Sequence, residues 1–185
     1  MTATRWLTAE EQRAWRALAG VVLRLPTALD AQLVRDSGLT HFAYYVLAML
    51  SEAPDRTLPM STLARNANSS QSRLSHAVSR LERQGWVTRR PHPDNGRVTL
   101  ATLTDTGLAV VVDAAPGHAD EVVRLVVDDL DPAQVRALAE ACEKVLARLD
   151  GECPSDAAGV DEQGRMSPCT APTTTSSSSA AATTA

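Results

Sequence analysis

Apolar residues recur at steps of three and four along much of the chain, and this spacing predicts amphipathic helices. In the first such stretch, from about Thr8 to Leu33, Thr8 and Glu11 form the spacing of a capping box, which favours a helix start. The apolar stripe of this stretch consists of Trp15, Leu18, Val22, Leu25, Leu29 and Leu33. Pro26 lies within the stripe, which continues beyond it, so we expect a kinked helix rather than two helices.

Three shorter helices are predicted in the centre of the chain. The first runs from about His41 to Ser51, after the break Gly38-Leu39-Thr40. Pro59 stands at the expected first position of a short second helix, MSTLARNA. A serine N-cap, Ser69 or Ser70, then starts the third helix, QSRLSHAVSRLERQG, which has a narrow apolar stripe and a glycine stop at Gly85.

A hairpin follows this third helix directly. The segments WVTRR and RVTLATL are rich in strand-forming residues, and PHPDNG between them is dense in turn residues. Two prolines and the length of this segment predict a longer loop rather than a two-residue turn.

The last part of the helical region carries two more helices. Thr104-Asp-Thr-Gly begins one of them, which Pro116-Gly117 is expected to kink or interrupt, and Asp131-Pro132-Ala-Gln134 has the signals of a second start. The final helix presents a heptad seam for pairing with another helix, formed by Val135, Leu138, Cys142, Val145 and Leu149. The predicted order is therefore α-α-α-α-β-β-α-α, a mainly α fold with a small β-wing.

Charge is distributed unevenly. Between Arg65 and Arg97 there are seven arginines against Glu82 and Asp94, a local charge of +5 in a chain whose net charge is −4. A basic segment in an acidic protein is typical of a localised phosphate-binding surface. The alternatives are a solvated helix face and, for the preference for arginine over lysine, a GC-rich genome.

The short helix, the turn and the third central helix form a helix-turn-helix unit. The second helix of this unit presents short polar side chains near its start and arginines beyond them, which is the inventory needed to reach base edges and phosphates. An ordinary amphipathic surface helix is the alternative, but residues 69–81 contain no acidic side chain. In the hairpin, Arg89, Arg90 and Arg97 flank a turn-rich tip, as in a wing that enters a minor groove.

Residues LPMSTLARNANSSQSRLSHAVSRLERQGWVTRRPHPDNGRVTLATLTDTG resemble the MarR-type winged-helix regulators, most specifically in SRLERQGWVTR, DNGR and LTDTG. The resemblance extends more loosely over residues 10–149. It implies a MarR-type domain over residues 8–150, with dimerisation helices at about 8–36 and 108–149 and a winged helix at about 40–105. A low-complexity segment follows at 151–185, which we expect to be disordered.

The resemblance implies a homodimer that binds a pseudo-palindromic double-stranded operator, as a repressor relieved by a small aromatic or anionic effector. The unpatterned cysteines and the absence of a signal-peptide pattern predict a cytoplasmic location. Asp94 is expected to orient Arg97 through a charge-assisted bond. The predicted DNA-binding residues are Ser70, Gln71, Ser72, Arg73, Ser75, His76, Arg80, Arg90 and Arg97. The apolar stripe of the first helix and the seam of the last one also require a partner chain, since a small winged-helix core cannot bury both.

Other functional classes are disfavoured. The three cysteines have neither disulfide nor zinc spacing, and Cys142 in the apolar seam is expected to be a buried thiol rather than a redox sensor. His41 and His118 could share a metal, but no ligand pair of tight spacing is present, so no metal and no cofactor are predicted. No catalytic motif suggests an enzyme. A helical protein-interaction module or an enzyme, either without DNA binding, stays open as the alternative. Trp15 is expected in the dimer core rather than in an effector pocket.

Overall fold

The computed structural model describes residues 4–152. Within this range there are six α-helices: α1 (Ala9–Ser37), α2 (His41–Glu52), α3 (Met60–Asn66), α4 (Gln71–Arg83), α5 (Asp105–Val122) and α6 (Pro132–Glu152). Three strands, β1 (Thr57–Pro59), β2 (Val87–His92) and β3 (Asn95–Leu103), form an antiparallel sheet in the order β1-β3-β2. The segment predicted to be disordered lies outside the described residues, apart from Gly151 and Glu152 at the end of α6.

Helix starts follow the predicted caps. Thr8 and Glu11 form the reciprocal capping box of α1, and Ser70 is the serine that caps α4. The Asp131 carboxylate accepts from the Gln134 backbone, while the Gln134 side chain accepts from the Asp131 N–H. Local hydrogen bonding to otherwise unpaired N–H groups thus sets where these helices begin.

Two local predictions are wrong. Pro59 precedes α3 as the last residue of β1, a strand too short for its pattern to be recognised. The hairpin turn consists of two residues, 93 and 94, because β2 and β3 extend into the predicted loop. At Pro116 and Gly117, where a kink or an interruption was expected, helix α5 is not interrupted, and it continues as a π-helical turn at Val123–Val127. Cys142 is exposed on α6 in the single protomer, and its burial in a seam with a partner chain stays a prediction.

The core lies where α2 and α4 pack on the sheet and on the second half of α1. Its fully buried side chains include Leu33 from α1, Leu47 and Leu50 from α2, and Leu74 and Val78 from α4. The predicted inner stripe of α4 is therefore its buried face, and the opposite face is left at the surface.

By its internal contacts the chain divides into two units, residues 1–135 and 136–185. Within the first unit, α1 contains a window with a mean hydropathy of 1.4 of which 17% is buried, so by length and composition alone it could cross a membrane. Within the second unit, all described side chains of α6 through residue 149 are exposed.

Candidate nucleic-acid interface

The turn between α3 and α4 fixes the direction in which α4 leaves the core. Asn68 has a left-handed φ of 42°, and the backbone N–H of Ser69 donates to the Ala64 carbonyl at 2.9 Å. The Ser70 hydroxyl then accepts from the Arg73 N–H at 3.2 Å. A tight turn followed by a capped helix places the first turn of α4 at the surface with its N–H groups directed outward, which suits an approaching anion.

The outer face of α4 is polar and exposed. Leu74, Val78 and Leu81 are at most 2% exposed, so the remaining positions face away from the core. The residues predicted to contact DNA from this helix are all exposed except Ser75, which is half-buried; they are Ser70, Gln71, Ser72, Arg73, Ser75, His76 and Arg80. The structure thus brings these predicted residues together on one helix face.

The wing is joined to α4 by two connections at its base. In the first, the Arg89 guanidinium donates twice to Glu82 Oε2, at 2.6 and 3.0 Å, and the Arg89 backbone N–H donates to Glu82 Oε1. The bonds from Arg89 hold the pKa of Glu82 below its ordinary value. Arg89 is therefore a structural link between wing and helix.

The second connection uses the LTDTG segment. The Thr104 hydroxyl donates to the Gly85 carbonyl at 2.8 Å and accepts from the Gly107 N–H, while the Thr104 N–H donates to the Trp86 carbonyl. A Cβ at position 107 would lie 2.2 Å from the Trp86 carbonyl oxygen, so only glycine allows this approach. These contacts explain physically why QGW and LTDTG occur together in the sequence.

Near the tip of the wing, the sheet is irregular. Pro91 pairs with Thr99 and His92 pairs with Asn95, so residues 96–98 of β3 fall between two consecutive register pairs. This bulge carries Arg97 outward, and both Arg97 and Arg90 are exposed.

The predicted ion pair between Asp94 and Arg97 is not formed among the described residues. The tight turn instead directs the Asp94 N–H to His92 Nδ1, and the Arg97 N–H donates to the Asn95 side chain. The side chain of Asn95, not that of Asp94, therefore orders the tip. Among the described residues, the guanidinium of Arg97 has no acidic partner.

Between the wing and the helix-turn-helix unit lies a cleft of about 230 Å³. Its lining combines polar and apolar side chains of α3, α4 and β3, namely Met60, Ser61, Gln71, Arg97, Val98 and Thr99. The sequence predicted Gln71 and Arg97 at the interface but not Ser61. The signal for Ser61 in the sequence was a serine directly after the first residue of α3. The strand β1, which sets the position of α3, was not predicted.

Phe42, the single phenylalanine of the chain, was also missed. Its ring lies under the guanidinium of Arg73, with the Arg73 Cζ 4.6 Å from the ring centroid. The sequence contained one signal for this contact: an aromatic residue near the start of α2, outside the deeply buried positions.

His41 and His118 come together where α2 meets α5, with ring centroids 5.7 Å apart, and the Tyr44 ring lies 4.6 Å from His118. Burial lowers the pKa of both histidines, and for His41 the nearby Asp30 opposes this effect. Among the described residues, no group of three or more His, Cys, Asp or Glu side chains is arranged to hold a metal ion.

Comparisons with known proteins agree with this geometry. The MarR family model matches residues 37–98. The chain resembles Sco3205, a MarR family transcriptional regulator from Streptomyces coelicolor solved in complex with DNA, with 45% identity and a TM-score of 0.76 over 84% of this chain and 95% of that one. It also resembles AbsC, a MarR family regulator from the same organism, with 36% identity and a TM-score of 0.74 over 80% of this chain and all of that one.

A curated relative, the HTH-type transcriptional repressor YetL from Bacillus subtilis, is 29% identical over 85 residues. That match covers 46% of this chain and spans about half of YetL, 51% of its length.

Proposed function

Because the chain belongs to the MarR family of transcriptional regulators, we propose that it binds a specific double-stranded DNA site as a homodimer and controls transcription there. The observation that carries the proposal is the exposed, acid-free outer face of α4 beside an arginine-bearing wing. Each protomer would place α4 in a major groove, and the wing would reach the adjacent minor groove.

The roles of the residues follow from their positions. Gln71, Ser72, Arg73, Ser75 and His76 lie in the first two turns of α4, within reach of base edges once the helix enters a groove. Arg80 lies farther along the helix, and Ser70 is the cap whose hydroxyl already accepts from Arg73. Arg90 and Arg97 on the wing are placed for the flanking backbone or minor groove.

We propose that a second copy of the chain covers the exposed apolar surface of α1 and the seam of α6. In one protomer Trp15 and Val22 are 59% and 61% exposed, and on α6 Val145 and Leu149 are 47% and 54% exposed. Large apolar side chains exposed along a helix, as on each of these two helices, are typical of an interface. Two-fold symmetry would set the half-sites about one helical turn, roughly 10 base pairs, apart. We place this dimer in the cytoplasm, with access to DNA.

We also propose that the protein is a repressor relieved by a small aromatic or anionic molecule that binds near His41, His118 and Tyr44. Support comes from two buried polar atoms, Gln32 Oε1 and His118 Nδ1, which have no hydrogen-bond partner among the described residues. Buried polar atoms are normally bonded, so such atoms favour a site for a further polar group. Release of DNA would require the molecule to bind the DNA-incompetent conformation more tightly.

The DNA-binding proposal is tested by selecting duplexes from a randomised library with the full-length protein and measuring their affinity over a range of salt concentrations. The expected results are one enriched inverted repeat and a log–log salt slope of about −0.9 for each phosphate contacted. Arg97→Ala should weaken binding and flatten this slope, whereas Arg13→Ala on α1 should not change the slope. A salt-independent interaction, or no enriched sequence, would instead favour a protein-interaction module.

The effector proposal is tested by adding a panel of small aromatic carboxylates to the dimer bound to the selected duplex. Release of the duplex by one of them, lost in His118→Leu with DNA affinity retained, would support the site. Release that is unaffected by His118→Leu would exclude it.

A further inference from the structure

Arg73 is held at two points in the protein alone. Its backbone N–H donates to the Ser70 hydroxyl at 3.2 Å, and its guanidinium lies over the Phe42 ring with Cζ 4.6 Å from the centroid. Phe42 is the second residue of α2, half-buried, and packs against the core cluster that includes Leu74 and Val78. A ring anchored in the core therefore fixes the far end of an exposed side chain.

A guanidinium that lies over the face of a ring keeps its hydrogen-bonding groups available. A guanidinium that stacks on a ring uses its face, whereas its five N–H donors lie in the plane and point outward from the edge. A forked contact to O6 and N7 of guanine, or to a phosphate, uses that edge. Stacking on Phe42 and reading a base are thus compatible in one conformation.

Other arginines of this surface are held differently. Arg89 is bound by Glu82, and for Arg80 and Arg90 the described residues provide neither an ion pair nor a ring to stack on. A long side chain that moves freely loses rotamer entropy when it binds, and one that is already ordered loses less. Among the arginines predicted to contact DNA, Arg73 is therefore the one whose guanidinium the described part of the fold orders in advance.

We propose that Phe42 is a positioning residue for DNA recognition, which holds the Arg73 guanidinium in the conformation that contacts a base. The proposal rests on the proposed function, since it assumes that Arg73 meets DNA. It assigns a role in base specificity to α2, a helix that otherwise belongs to the core. The alternative role, in which the ring withdraws Arg73 from DNA, makes the opposite prediction for affinity.

The expected effect follows from the strength of cation–π contacts at exposed sites, which corresponds to about two- to fivefold in affinity for each half-site. A dimer on an operator with two half-sites would lose up to about 25-fold. Phe42→Leu keeps an apolar side chain but removes the ring, and should show this loss. Phe42→Tyr keeps the ring and should bind as the wild-type protein does.

The experiment measures the affinity of four full-length proteins for a duplex selected by the wild-type protein: wild type, Phe42→Leu, Arg73→Ala and the double variant. A double-mutant cycle isolates the coupling between the two side chains. The same proteins are tested on duplexes with each half-site base pair changed in turn. Thermal unfolding of each variant reports whether it folds. If Phe42→Leu does not fold, Phe42→Tyr and Phe42→Met take its place in the series.

The proposal predicts that Phe42→Leu weakens binding in the wild-type background and has no effect in the Arg73→Ala background. It also predicts that both single variants lose discrimination at the same base pair. Equal losses in the two backgrounds, a loss spread over all positions, or tighter binding by Phe42→Leu would overturn it. If Arg73→Ala itself leaves binding and discrimination unchanged, the assignment of Arg73 to the DNA surface fails instead.

Discussion

In the second half of α1, Leu29 and Leu33 are 6% and 0% exposed, whereas in the first half Trp15 and Val22 are 59% and 61% exposed. Both pairs belong to one continuous stripe with the same helical spacing. The difference lies in what surrounds them, because α2 and α5 pack against α1 while the apolar side chains of its first half stay exposed in the described part of its own unit. A periodic stripe therefore predicts that a helix face is apolar, but not whether its own chain or another chain covers it.

The largest effect is expected for Val22→Asp, which tests whether a second copy of the chain covers the first half of α1. If a second copy covers the first half of α1, two-fold symmetry buries two unpaired carboxylates, each at a cost of roughly 3–5 kcal/mol. The variant should be monomeric at micromolar concentration by sedimentation and should lose operator binding. Ala31→Asp, at an exposed position in the other half of the helix, is the matched control and should stay dimeric. A dimeric Val22→Asp protein would mean that this surface is not the interface.

The second prediction concerns the buried half. Leu33→Ala removes a fully buried side chain and should lower the free energy of unfolding by about 2–5 kcal/mol, mostly as a cavity inside the protomer. Urea denaturation at several protein concentrations measures it. The loss in the free energy of unfolding should be the same at each protein concentration, whereas the loss caused by Val22→Asp should depend on concentration. A strongly concentration-dependent loss for Leu33→Ala would place Leu33 at the dimer interface.

A smaller effect is expected at the base of the wing. Glu82→Gln removes the charge that holds Arg89 and should lower the free energy of unfolding by about 1 kcal/mol, since the pair is only partly buried. The wing would then be less firmly attached to α4, and operator affinity should fall about two- to fivefold, a change of ~0.5–1 kcal/mol. Asp105→Asn breaks the exposed pair with Arg56 and should leave operator affinity unchanged. Equal behaviour of the two variants on DNA would show that Arg89 does not position the wing.

The smallest effect is a pH dependence. Burial lowers the pKa of His41 and His118 in the folded protein below the ordinary value of 6.5, so the unfolded chain binds more protons as the pH falls through that range. Thermal stability should therefore decrease from about pH 7 to pH 5, with no contribution from these groups above pH 7. His41→Gln/His118→Gln should flatten this dependence, and an unchanged dependence would attribute it to other groups.

Much of the architecture could be predicted because it depends on local chemistry. Capping residues at Thr8, Ser70 and Asp131 determine helix starts through bonds within a few residues, and the inner stripe of α4 determines which face is left for DNA. Strand β1 could not be predicted, since three residues carry too short a pattern and gain their structure by pairing with β3, more than 40 residues away.

The site shows the same division. The polar residues of α4 were found because a helix fixes their common face, and their contacts with DNA stay a prediction. The predicted ion pair between Asp94 and Arg97 was wrong, because the turn is shorter than expected and its order comes from the Asn95 side chain, which accepts from the backbone N–H of Arg97. Phe42 and Ser61 were missed because tertiary packing, not spacing along the chain, brings them to α4 and the wing.

The central claim is that two copies of α4, joined through the apolar surfaces of α1 and α6, occupy successive major grooves on one side of a duplex. The most direct test is the affinity of the wild-type protein for its selected operator with about five base pairs, half a helical turn, inserted between the half-sites. The account predicts that binding falls to that of a single half-site, because the half-sites then face opposite sides of the duplex. Equal affinity for the two spacings would contradict it.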